Sequence, residues 1–270
     1  YIGFDSRAQG PGFLGTPYKP FSPSGKGRQD LTLNGVTTER LGDRRALLNS
    51  FDGFRRDVDN RKQMAGLDKF NEQAFGVITS NRLLHALDLK KEDPKRLAKY
   101  KVPRGYRSVD SFCTARRVVE AGARFVTLSW GSWDTHSKNF ITFRKQLPAL
   151  DIGLSALISD LAEDGRLDDV SIVVWGEFGR TPKISKGAKR IGRDHWPNCY
   201  SAMLAGGGIR GGSVYGESDK QAAFVKSNPV TLEDFTATLF AAMNINPASR
   251  LSRDGFTLPA SSGNPIEALL

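Results

Sequence analysis

The spacing of apolar residues changes character near residue 123. From Thr38 to residue 121 they recur every three or four positions, the period of a helix with one buried face. Thr38 is placed to cap a helix over 40–54 that carries Leu41, Leu47, Leu48 and Phe51 on one side. Further helices are predicted over about 60–78, from Ser80 through Leu83, Leu84 and Leu87, and over 108–121, the last closed by Gly122. Beyond residue 123, runs of β-favouring residues alternate with helical stretches. The runs 124–130, 170–175 and 201–205 read as strands. Between the first two lies a long amphipathic helix within 140–164, with Leu147, Leu150, Leu154, Leu157, Ile158 and Leu161 at helical spacing. A final helix over 231–243 has Thr231 as its cap and Glu233 and Asp234 complementing the dipole. Strand–helix–strand at this spacing predicts a parallel sheet covered by helices. Residues 1–37 are rich in Gly, Pro, Ser and Lys and read as an irregular segment lying over the domain through Phe13, Leu14, Tyr18 and Phe21. Within it, 30–36 is either a short strand or a docked extended piece.

The candidate chemistry gathers in the loops that follow the predicted strands. The strand 170–175 breaks off into Gly176-Glu177-Phe178-Gly179-Arg180-Thr181-Pro182, which sets the carboxylate of Glu177 at the strand's C-terminal edge. In open α/β sheets that edge is where ligands bind. Two of the three histidines lie in loops of the same kind, in Asp134-Thr135-His136 after the first strand and Asp194-His195 before the third. A parallel sheet projects all three loops from one edge, where Asp134, His136, Glu177 and His195, with Asp194 beside it, can converge. Such donors suit Zn²⁺, Mn²⁺ or Fe and, with fewer histidines, Mg²⁺ or Ca²⁺. A metal held there polarises a phosphoryl or sulfuryl oxygen and acidifies bound water. Arg180 and Arg193 flank the carboxylates. Their forks either bind an anionic group or pair with Asp194 or Glu177 to hold the loops. His85, on an apolar helical face, reads as structural. The run 205–213 is Gly-rich but lacks the Lys-Ser/Thr of a phosphate loop and opens no helix, so it reads as tight turning beside the site.

Composition narrows the field. The 270 residues carry a net charge of +10, most of it before Arg124. A basic half attracts anionic partners. Here, however, acids interleave the bases, as in Lys90-Lys91-Glu92-Asp93, and no nucleic-acid motif is present, so no nucleic-acid partner is predicted. Cys113 and Cys199 have neither disulfide-framework nor thiolate-zinc spacing. No apolar run approaches a membrane span, and the first residues are not a signal peptide.

Read in order, four segments resemble the bacterial domain-of-unknown-function 1501 family. They are Trp133-Asp134-Thr135-His136, Gly176 to Pro182, Gly192-Arg193-Asp194-His195-Trp196-Pro197, and the Gly-rich stretch 206–219. The resemblance covers essentially the whole chain. It implies the alkaline phosphatase and sulfatase clan, hence a three-layer α/β/α sandwich with a mostly parallel sheet and a metal at the strand ends. It also implies an exported bacterial protein, many family members coming from planctomycete-like organisms. In the clan's pattern Asp134, His136 and His195 serve one metal, while Glu177 stands where an Asp-His pair supplies a second. Phe178 occupies the His place and cannot ligate. The clan's first strand, ending in a metal-binding Asp with a Ser or Thr nucleophile nearby, has no counterpart before residue 37, and the chain has no initiator Met. A domain lacking its N-terminal strand is therefore expected, arranged as the segment 1–37, a helical part 38–122 and a metal-site part 123–270. The implied function is metal-dependent hydrolysis of a small-molecule or polysaccharide phosphate or sulfate ester. The alternative is a non-catalytic exported binding or scaffold protein of the same fold.

Overall fold

Ile2-Gly3-Phe4 is too short to carry a periodic pattern, yet it forms strand β1 (Ile2–Phe4), parallel to β2 (Val126–Leu128). The start of the segment, read as irregular, therefore contributes a strand. Its ends are tied by Ile2 N–H to Phe125 O and Gly3 N–H to Phe21 O, both 3.0 Å. The structure, a computed structural model, describes residues 2–4, 20–23, 31, 39–40, 42–44, 46–47, 82–187, 190–253 and 256–270. The helix expected over 60–78, most of the helix expected over 40–54, the strand or extended piece expected over 30–36 apart from residue 31, and the contacts expected of Phe13, Leu14 and Tyr18 fall outside the described residues; 39–40, 42–44 and 46–47 are helical.

The chain divides into two compact units. The first comprises 1–97 and 110–129. Its described core is Ile2, Ala86 and Val118, with Phe4, Leu83, Leu87, Ala121, Ala123 and Val126 packed against it. Helix α1 (Arg82–Leu87) ends on the guanidinium of Arg117, which donates from Nε to Ala86 O at 2.9 Å and from Nη2 to His85 O at 2.6 Å. A cation on the last carbonyls of a helix satisfies unpaired acceptors and opposes the dipole. Helix α2 (Pro94–Lys99) follows. Helix α3 (Asp110–Glu120) stops at Gly122, whose φ of 107° most side chains avoid. Predicted as structural, His85 is exposed and lies 2.9 Å from Lys91 Nζ.

The second unit comprises 98–109 and 130–270. Its spine is α4 (Asn139–Glu163). The face that α4 buries runs through Gln146, Ala149, Gly153, Ala156 and Asp160 and includes Leu161 of the predicted stripe, while Leu147 is exposed. At its far end Asp160 accepts from Tyr100 Oη and Lys99 Nζ, both at 2.9 Å. Strand β3 (Ser171–Val174) pairs antiparallel with β8 (Met203–Gly206). Between them lie β4 (Gly179–Arg180), β5 (Ser185–Gly187), β6 (Arg190–Gly192) and β7 (His195–Trp196), with β5–β6 nested inside β4–β7, both antiparallel. Two further antiparallel pairs, β9 (Glu217–Ser218) with β10 (Val225–Ser227) and β11 (Arg250–Arg253) with β12 (Phe256–Pro259), flank α5 (Leu232–Ala242). Thr231 caps α5 as predicted, accepting from Asp234 N–H at 3.0 Å.

The expected three-layer sandwich with a mostly parallel sheet is therefore incorrect for the described residues. Their strands form six two-stranded sheets, of which only β1–β2 is parallel. The cause is the connection between β3 and β8. A parallel pair needs a long crossover, usually a helix. Here nested hairpins fill that stretch and bring the chain back reversed. Nor is 170–175 a fully buried strand, since Val173 and Trp175 are exposed.

Candidate metal centre

Asp134 and His136 lie in the loop leading into α4, and that loop is pinned on both sides of them. The indole of Trp133 packs against Trp130 and Phe143, with centroids 5.9 and 5.2 Å away, and donates to Trp130 O at 2.9 Å. Thr135 Oγ1 accepts from Asn139 Nδ2 at 2.8 Å, within the first turn of α4. Asp134 and His136 are left open to solvent.

His195 and Arg180 reach the same point from the outer hairpin. They are register partners in β4–β7, so their side chains project from one face. His195 Nε2 lies 2.9 Å, Arg180 Nη2 3.1 Å and His136 Nδ1 3.2 Å from one atom, Asp134 Oδ1. These contacts hold the Asp134 carboxyl below the usual carboxylate range, first through the hydrogen bond from His195 and then through that from Arg180, against a small opposing cost of desolvation. An ionised carboxylate only accepts, so without a metal His195 Nε2–H is the donor in this pair, and ligation through that nitrogen would release the proton.

Two glycines bring the pieces this close. Gly192, at the end of β6, is buried against the backbone of His136, and a Cβ there would collide with the His136 carbonyl. Beside it, Lys138 N–H donates to Ile191 O at 3.0 Å. Gly179 is pressed in the same way onto the carbonyl of Cys199.

The next residues along each strand face the other way, as strand alternation requires. Asp194 N–H donates to Thr181 Oγ1 at 3.1 Å, and Asp194 Oδ2 accepts from Ser185 Oγ at 2.9 Å. Asp194 thus holds the hairpin and stays out of the cluster. Glu177 is exposed in the bend between β3 and β4 and is likewise outside it. The single edge that was to gather Glu177 with the others does not form, because β3 and β8 run antiparallel. Phe178 contacts the ring of His195, with centroids 4.3 Å apart, and His136 meets the same ring at 4.7 Å. Its place in the sequence gave no sign of that supporting contact.

The residues that remain fit a divalent cation. Asp134, His136 and His195 each offer one ligand atom, all within 4.8 Å of one another. A tetrahedral zinc site with bonds of about 2.0–2.1 Å has edges of roughly 3.3 Å. The two nitrogen–oxygen separations here, 2.9 and 3.2 Å, are near that edge. One carboxylate with two imidazoles also suits Fe or Mn.

A family model described as "Protein of unknown function (DUF1501)" matches residues 2–270. The chain belongs to the DUF1501 family. Comparison of this DUF1501 chain with curated proteins and with solved structures returned no match. Among the described residues, no helix of the DUF1501 chain is long and apolar enough to cross a membrane.

Proposed function

We propose that this protein is a metal-dependent hydrolase of phosphate or sulfate esters, with Asp134, His136 and His195 as the metal ligands. The observation that carries the reading is a three-ligand set left half open. The side chains of Asp134, His136 and His195 are 70%, 41% and 48% exposed. Structural zinc sites are closed by four protein ligands, whereas catalytic ones keep three and leave a position for water or substrate. A bound divalent ion supplies Lewis acidity and an acidified water. The chain's own residues do the rest. Asp134 brings the negative charge, and the two imidazoles face it with one nitrogen each. Arg180 fixes the carboxylate's orientation, because its Nη2 also donates to Trp133 O at 2.7 Å. A group that orients a ligand from outside tunes both metal affinity and geometry. Phe178 steadies the ring of His195.

Elemental analysis of the zinc-loaded chain, paired with assays on an aryl phosphate and an aryl sulfate, tests this. One ion per chain is expected, with ester turnover that chelation removes, and both lost in His136→Ala and His195→Ala. A well-folded preparation that takes up no metal overturns it.

A further inference from the structure

The two arginines of the centre differ in what they touch. Arg180 is engaged by the protein: Nη2 bonds Trp133 O and Asp134 Oδ1, and Nη1 donates to Arg193 O at 3.4 Å. Arg193 has no such set. Its Nε is buried without an acceptor, and among the described residues no carboxylate or carbonyl takes its terminal nitrogens. The nearest acid in sequence, Asp194, is turned to Ser185 and Thr181. What holds the guanidinium is the ring of Phe140, with Cζ over it at 5.7 Å from the centroid.

Arg193 is also close to the metal ligands along both chain segments that build the centre. It follows Gly192, whose Cα rests on the His136 backbone, and precedes His195 by two residues. Phe140 follows His136 by four residues, in the first turn of α4. A half-buried cation that lacks a counter-charge has lost hydration and gained only the weak attraction of an aromatic ring in exchange. Its planar fork matches two oxygens of a tetrahedral anion.

We propose that Arg193 is the residue that binds the anionic group of the substrate at this centre, a tetrahedral oxyanion of the phosphate or sulfate type, and that Arg180 does not. This rests on the hydrolase reading for the word substrate, and it deepens that reading by dividing the arginines into one that positions Asp134 and one that faces the ligand.

Calorimetric titration with inorganic phosphate and, separately, inorganic sulfate tests it on both the metal-free and the zinc-loaded chain. Arg193→Gln is expected to weaken binding of the preferred anion by about tenfold or more in both forms, as loss of a charge-assisted pair implies. Zinc uptake and melting temperature are expected to stay at wild-type values. Arg193→Lys restores the charge without the fork and is expected to recover only part of the affinity. The two titrations also show whether phosphate or sulfate is preferred. Wild-type affinity in Arg193→Gln, or a wild-type chain that binds neither anion, overturns the proposal. Anion binding that depends on Arg193 in a chain that turns over no ester leaves this inference standing and removes the hydrolase reading.

Discussion

Asp160 and Asp134 belong to the same unit, and each is a carboxylate gripped by more than one donor, but their settings are opposite. Asp160 is fully buried on the inner face of α4, held by Tyr100 and Lys99. Its partners lie about sixty residues away in sequence, so the cluster joins distant segments. Asp134 is 70% exposed, and the three nitrogens around its Oδ1 come from its own loop and from a small hairpin. A buried carboxylate left unpaired is strongly destabilising. Exposed ion pairs contribute little to stability. Gathering three nitrogens around one exposed oxygen is therefore poorly explained by folding and well explained by ligand binding.

Substitution separates the two sites most sharply. Asp160→Ala removes the carboxylate that the buried Tyr100 hydroxyl donates to and breaks the link to Lys99. The expected loss is roughly 1–3 kcal/mol, the cost of a buried polar group deprived of a partner, read as a clear fall in urea midpoint. Asp134→Ala is expected to leave the midpoint where it was and to abolish zinc uptake. Equal destabilisation by the two would erase the distinction between a structural cluster and a binding one.

Arg180→Gln probes the same contrast at a smaller scale. It keeps a polar side chain on β4 but removes the charge at Asp134 Oδ1. Zinc affinity is expected to drop about 10–100-fold, the usual cost of removing a group that orients a ligand. Competition with a chromophoric chelator measures it. An unchanged affinity would mean that Arg180 merely ties the hairpin to Trp133.

The contrast also shows what the sequence can carry. Asp134, His136 and His195 were recognisable because short polar motifs interrupt strongly apolar stretches, and the structure brings those three together. Helices α3 and α5 were legible through periodicity and through Gly122 and Thr231. Strand direction was not, because a run such as 170–175 has the same composition in a parallel or an antiparallel pair. That one ambiguity produced both the incorrect sandwich and the placement of Glu177 beside the others. The buried face of α4 was legible at Leu161 and hidden elsewhere for a different reason. Leucines mark a helix well, but much of the buried face is Ala149, Gly153 and Ala156, which look featureless in a hydropathy pattern. Gly192 was legible only as a motif letter; its function is to let β6 touch the His136 backbone.

The smallest effect lies in the protonation of Asp134 itself. With its carboxyl held below the usual range, chiefly by His195 and then by Arg180, the stabilisation from these contacts has a definite sign with pH. It is fully present above the unfolded-state carboxylate value of about 3.9 and is lost as pH falls through the lower folded value. Being exposed, the group contributes only a slight bend to the acid limb of the unfolding curve, so the direct observable is the carboxyl ¹³C shift of Asp134 in metal-free protein. Its midpoint is expected below that of an ordinary aspartate, to rise on Arg180→Gln, and to rise further on His195→Ala. A midpoint that ignores His195 would mean that the imidazole and the carboxylate do not meet in solution, and with them would go the geometry on which the metal centre rests.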